Sequence, residues 1–121
     1  MDKLEQYRNY IQQIIKRHGK NPPSHGNIEL QTLFDKEHDH YQLVCAGWHN
    51  KLREYGCIMH LDIKEDGKIW IQHDGTEVGV ATELVELGVP KEDIVLAYHS
   101  PFRRQFTGYG GDSNQYTEMK Q

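Results

Sequence analysis

The stretch YQLVCAGWHNKLREYGCIMHLDIKEDGKIWIQHD, residues 41–74, carries the pattern that decides the fold. Three runs in it alternate apolar and polar residues with a period of two, as half-buried strands do. Residues 41–49 put Tyr41, Leu43, Cys45 and Gly47 on one side, and residues 57–64 do the same with Cys57, Met59, Leu61 and Ile63. Residues 68–74 set Ile69 and Ile71 against Trp70 and Gln72. The breaks fall at 50–54 and 65–67, where Asp66-Gly67 is a hairpin turn signal. A turn centred on Lys51 sets Cys45 opposite Cys57, Leu43 opposite Met59 and Tyr41 opposite Leu61, six residues on one buried face. The other face then pairs Ala46 with Gly56, Val44 with Ile58 and Gln42 with His60, and carries Trp48. It is too apolar to be wholly wet, so a helix of this chain or another subunit is expected to cover part of it. At the next hairpin, a two-residue Asp66-Gly67 turn would put Ile63 opposite Trp70.

Working outward, residues 28–35 add a strand with Ile28, Leu30, Thr32 and Phe34 on one face. Before it, 20–27 hold Pro22, Pro23 and Gly26 and read as a loop. Residues 2–18 repeat Leu4, Tyr7, Ile11, Ile14 and His18 at helical steps, with Ile15 widening the stripe. Asp2 with Glu5 resembles a capping box, and Gly19 is a natural stop. After the strands, 76–87 predict a second helix capped by Thr76 and ended by Gly88 and Pro90. Residues 94–98 predict a short fifth strand. Past Pro101 the periodicity fails, and 108–121 read as a flexible tail. The expected fold is α+β: an N-terminal helix, a four-stranded mainly antiparallel sheet, a second helix and a short fifth strand. One domain spans 1–109, with a tail over 110–121.

A chain of 121 residues can bury a core without disulfides or metal staples. Cys45 and Cys57 lie in strand-like runs and not in a CxxC, so they read as reduced core residues of a cytoplasmic protein. No apolar run is long enough to span a bilayer, and MDKLEQYRNY lacks the apolar stretch of a signal peptide. The net charge of −4 argues against a simple nucleic-acid coat. It is uneven: +3 over residues 1–25, −8 over 26–99 and +1 over 100–121. Two mildly basic ends flank an acidic body.

Candidate chemistry is sparse. His38 and His40, with His49 downstream, alternate as metal ligands on a strand can, yet Lys36, Glu37 and Asp39 mark an exposed turn. His60, Asp62, Gln72 and Asp74 can meet on neighbouring strands, either for acid–base work or as a solvated polar face. Asp74 and Glu77 fill the predicted helix start with negative charge, which favours capping over anion binding. Phosphate-loop, nucleophile-elbow and HExxH motifs are missing, and neither cysteine has an obvious base, so no catalytic residue, cofactor or metal is expected. The segment Tyr98 to Tyr109 mixes aromatics with arginines. It nominates Phe102, Arg103, Arg104, Phe106 and Tyr109, together with Trp48, as partner contacts. The same residue types suit single-stranded nucleic acid, but only two charges cluster there.

The stretch YGCIMHLDIKEDGKIWIQHDGTEVGVATELVELGVPKEDIVLAYHSPFRRQFTGY (residues 55–109) closely resembles the XisI family. IELQTLFDKEHDHYQLVCAGWHN and the lead MDKLEQYRNYIQQII resemble it too. Family members are named as controlling factors for excision of the fdxN element, a programmed DNA rearrangement in heterocyst-forming cyanobacteria. The resemblance implies a non-catalytic accessory role beside a XisH-like, nuclease-related partner, without a cofactor. DNA contact is then indirect; direct binding through the basic ends is the alternative. The excess apolar sheet face adds the expectation of a homodimer.

Overall fold

The computed structural model describes residues 2–24 and 26–111. Helix α1 runs Lys3–Gly19, with Asp2 accepting the Glu5 N–H at 2.8 Å. Its predicted stripe is buried at Tyr7, Ile11, Ile14 and Ile15. Each buried isoleucine contributes about 1.5–3 kcal/mol by leaving water. Gly19 is the last helical residue rather than a left-handed stop. The cap falls on Lys20 in ordinary right-handed geometry, and Gly19 backs onto Thr32 and Leu43.

Five strands form one sheet in sequence order: β1 Asn27–Asp35, β2 His40–His49, β3 Leu52–Ile63, β4 Ile69–Asp74 and β5 Ile94–Leu96. The first four are antiparallel, and β5 joins β4 in parallel after a helical crossover. β3 begins five residues earlier than expected, because β2 turns into it through Asn50-Lys51 alone, with Asn50 at φ 58°. An asparagine tolerates that left-handed geometry, and two residues suffice for a hairpin. The predicted register holds for Tyr41 with Leu61, Gln42 with His60 and Leu43 with Met59, and then slips by one at a β-bulge. Beyond it Cys57, not Ile58, stands opposite Val44, and Cys45 meets Gly56 rather than Cys57. Gly47 opposite Ile28 is a true close approach: a Cβ there would lie 2.0 Å from the Asn27 carbonyl oxygen. At the next hairpin Ile63 meets Ile69, not Trp70. The loop is longer than two residues, and the Gly67 N–H donates to the Lys64 carbonyl at 2.9 Å. A second irregularity between His60 and Leu61 brings His60 opposite His73.

Helix α2 is shorter than predicted, Val80–Glu86. Asp74, at the end of β4, replaces Thr76 as the main cap. Its carboxylate accepts Thr76 N–H at 2.9 Å and Val80 N–H at 2.8 Å. The helix ends in a Schellman motif. Gly88, at φ 110°, donates to Val85, and Val89 donates to Leu84, each at 3.0 Å. A helix α3, Pro101–Arg104, forms where no element was predicted, capped by Ser100 with proline in its first turn.

Both long helices lie on one sheet face. Their apolar sides meet Tyr41, Leu43, Met59, Leu61, Ile69 and Ile71 in a single core. Buried Glu83 of α2 ties them together through Arg17 and, at 2.8 Å, His18 of α1. Among the described residues, the opposite face is covered at its β4–β5 end, where Arg104 lies over the buried Trp70 ring. Gly110 bridges to Val95 of β5, so the chain is tied down one residue into the expected tail; residues 112–121 lie outside the described ones.

Candidate functional site

On the face away from the helices, β2, β3 and β4 bring four polar side chains together. Register sets His40 opposite Asp62, with His60 two residues back along β3 and therefore on the same side. One carboxylate oxygen, Asp62 Oδ1, receives both rings: His40 Nδ1 at 2.8 Å and His60 Nε2 at 2.9 Å. Gln72 Nε2 donates to the other oxygen, Oδ2, at 3.2 Å. A carboxylate only accepts, so both ring nitrogens facing it carry protons. Asp62 is buried at 6% exposure, while the His40 side chain is 55% and the His60 side chain 28% exposed. The cluster thus has a buried anchor and a wet rim. The bond to Asp62 raises the His40 pKa against the opposing effect of burial, and the charges of Asp62, Asp35 and Asp39 also raise it. Among the described residues, His40, His60 and Asp62 are the one group of three metal-capable side chains whose donor atoms lie within 4.8 Å of one another.

The two histidine groupings read from the sequence are therefore redistributed. His40 leaves His38 and His49 and joins His60 and Asp62. His38 is held by Asp35 at 2.9 Å, and His49 sits at the far end of β2 beside the Asn50 turn. His60, Asp62 and Gln72 do meet; Asp74 instead caps α2. The signal was present, because a register with Gln42 opposite His60 also sets His40 opposite Asp62.

The nominated contact residues divide. Trp48 is 52% exposed and packs with Arg53, whose guanidinium also lies over Tyr55, itself 74% exposed. Tyr55 went unnoticed because the sequence reading put 50–54 in a loop and began the strand at Cys57. Phe102 and Phe106 are exposed and stack edge-on, centroids 5.4 Å apart, beside exposed Arg103. Arg104 is buried, contrary to its expected place on an exposed segment. It donates to the carbonyls of His99 at 2.9 Å and Ala97 at 3.2 Å. Tyr109 is half-buried against the core with Lys91 over its ring.

The family model for the XisI protein matches residues 1–111. The chain belongs to the XisI family. Two solved XisI structures from Anabaena variabilis ATCC 29413 share its fold. One, a XisI-like protein, is 39% identical with a TM-score of 0.83, over 90% of this chain and 99% of the other. The second, described as the fdxN element excision controlling factor XisI, is 34% identical with a TM-score of 0.77, over 90% and 98%. No curated protein matches. XisI membership agrees with the α+β architecture, and among the described residues no helix is long and apolar enough to cross a membrane.

Proposed function

We propose that this XisI-family chain is a non-catalytic controlling factor of programmed DNA excision, of the fdxN-element type, and acts by binding a XisH-like, nuclease-related protein. The observation that carries the protein-binding part is the exposed aromatic pair of Phe102, on α3, and Phe106, in the turn just after it, beside exposed Arg103. Aromatic and arginine side chains are the residue types that anchor interfaces, and here they project from a short helix and the turn after it, a segment that Arg104 pins to the body. The open sheet face around Trp48 and Tyr55 is assigned to a second copy of the chain, giving a homodimer that presents two such helices.

Direct DNA binding through the basic ends is the less favoured reading, because three of the five N-terminal charges are used internally. Lys3 pairs with Asp93 at 2.7 Å, Arg8 with Asp39 at 2.8 Å and Arg17 with Glu83. A charge held by a carboxylate contributes little to a phosphate-binding stripe.

The test is co-purification of this chain with a XisH-family protein and, separately, titration onto duplex DNA at two salt concentrations. A stable complex is expected that Phe102→Glu or Phe106→Glu abolishes with the fold intact by circular dichroism. Tight DNA binding by the chain alone, weakening by about 0.9 log units per phosphate contact for each log of salt, would sink the partner reading in favour of the second.

A further inference from the structure

Asp62, His40 and His60 do not distribute their contacts as a plain polar cluster would. A carboxylate offers two oxygens and about four lone-pair positions, so two imidazole donors and an amide can spread over both. Here both rings converge on Oδ1, and Gln72 holds Oδ2. The two converging atoms are different ring nitrogens, Nδ1 of one histidine and Nε2 of the other, supplied by adjacent strands and aimed at one point on the sheet surface. Two protons now occupy the space between three donors of the kind that bind a transition metal.

We propose that His40 Nδ1, His60 Nε2 and Asp62 Oδ1 form a binding site for a divalent transition-metal cation, of which zinc is the best match. Two imidazoles and one carboxylate suit zinc, and three protein ligands leave a fourth position for water. Ligand atoms 2.0–2.1 Å from a tetrahedral zinc lie about 3.3 Å apart, so the 2.8 and 2.9 Å contacts to Asp62 need to open by about 0.5 Å, and the three donor atoms already lie within 4.8 Å of one another. The movement is available, since the His40 side chain is more than half exposed. Gln72 supplies the supporting contact that metal-binding carboxylates characteristically have, fixing the plane of Asp62 while Oδ1 binds. Two open grooves meet at His40. One is lined by Ile63, Lys64 and Trp70, the other by Leu33, Asp35 and Gln42, and both give the cation a path from solvent. Asp35 and Asp39 add negative potential at the His40 ring. Magnesium and calcium, which require mostly oxygen ligands, do not fit.

The test is calorimetric titration of zinc chloride into the full chain after chelator treatment, with cobalt(II) as a spectroscopic probe. One zinc per chain is expected, together with the visible d–d absorption of near-tetrahedral cobalt, and excess magnesium should not compete. His40→Ala, His60→Ala and Asp62→Asn are each expected to weaken zinc by at least about tenfold, and Gln72→Ala by about tenfold through the loss of its supporting contact. His38→Ala and His49→Ala should leave affinity and spectrum unchanged. The proposal is overturned by a lack of saturable binding, by binding that survives the His40→Ala/His60→Ala double substitution, or by equal loss in His38→Ala. If Asp62→Asn does not fold, the exposed His40 gives the same readout on a folded chain.

Discussion

Arg103 and Arg104 are adjacent in sequence and have different fates. Arg103 stands in solvent, whereas Arg104 is 7% exposed, donates to two carbonyls and lies 5.2 Å from the centre of the Trp70 ring. Burying a guanidinium is tolerable when it is hydrogen-bonded and its charge meets an aromatic ring, and Arg104 donates to two carbonyls and lies over Trp70. Removing it leaves the carbonyls of Ala97 and His99 without that donor and opens the ring to water. Arg104→Ala is therefore expected to cost about 2–3 kcal/mol in urea unfolding, and Arg103→Ala less than about 0.5 kcal/mol. Arg104→Lys should recover only part of the loss, because an ammonium cannot bridge both carbonyls and stack at once. Equal effects at 103 and 104 would contradict the geometry. Nothing in the local composition separates the two arginines. The helical step does, and the Ser100-Pro101 start was the readable sign of that helix.

At the level of elements, hydrogen-bonded carboxylates lock the joints. Asp39, in the tight β1–β2 turn at φ 58°, receives Arg8 of α1 through both carboxylate oxygens, at 2.8 and 3.1 Å, and the Tyr41 hydroxyl at 2.8 Å. Burial pushes the Asp39 pKa up, but the bonds from Arg8 and Tyr41 outweigh it, and the group sits below the ordinary aspartate value. Asp93 behaves alike: burial is outweighed by its bonds from Lys3 and Tyr7. A carboxyl depressed in the folded state adds stability above its unfolded pKa, near 4, and loses it as pH falls through the lower folded value. The urea midpoint should accordingly decline from about pH 4 downward. Asp39→Asn should cost about 1–2 kcal/mol at pH 7 and flatten that acid decline. A parallel pH profile in the variant would rule the joint out as a source of the acid sensitivity. Existence and order of the elements were legible because the two-residue and 3.6-residue periods survive on each side of every turn. The bulges were not: one extra residue near Ile58, and another near Gln72, shift pairing without disturbing the alternation that flanks them.

On the scale of the whole molecule, the decisive asymmetry is that α1 and α2 share one sheet face. The sequence reading required cover for the face bearing Val44, Ala46 and Trp48, and neither helix supplies it. The bulge puts Cys57 opposite Val44 in place of Ile58, and Tyr55 opposite Ala46, so the open region is smaller in aliphatic content and richer in aromatic surface. Trp48 and Tyr55 flank Arg53, with Glu29 across from Ala46 on β1. Aromatics, a cation and an acid on one sheet face suit a two-fold interface, in which each group meets its complement on the other copy. The proposed homodimer therefore predicts a mass by light scattering of twice 14.2 kDa at micromolar concentration. Trp48→Glu should return it to one chain without unfolding it, because a side chain already 52% exposed contributes little to the monomer's core. The zinc cluster lies at the opposite end of β2 from Trp48, nine pairing positions from the His49 turn, so His40→Ala should leave the mass unchanged. A wild-type mass of a single chain refutes the dimer. A dimer that survives Trp48→Glu refutes this face as its seam, and its loss in Phe106→Glu would move the contact to the Phe102–Phe106 segment.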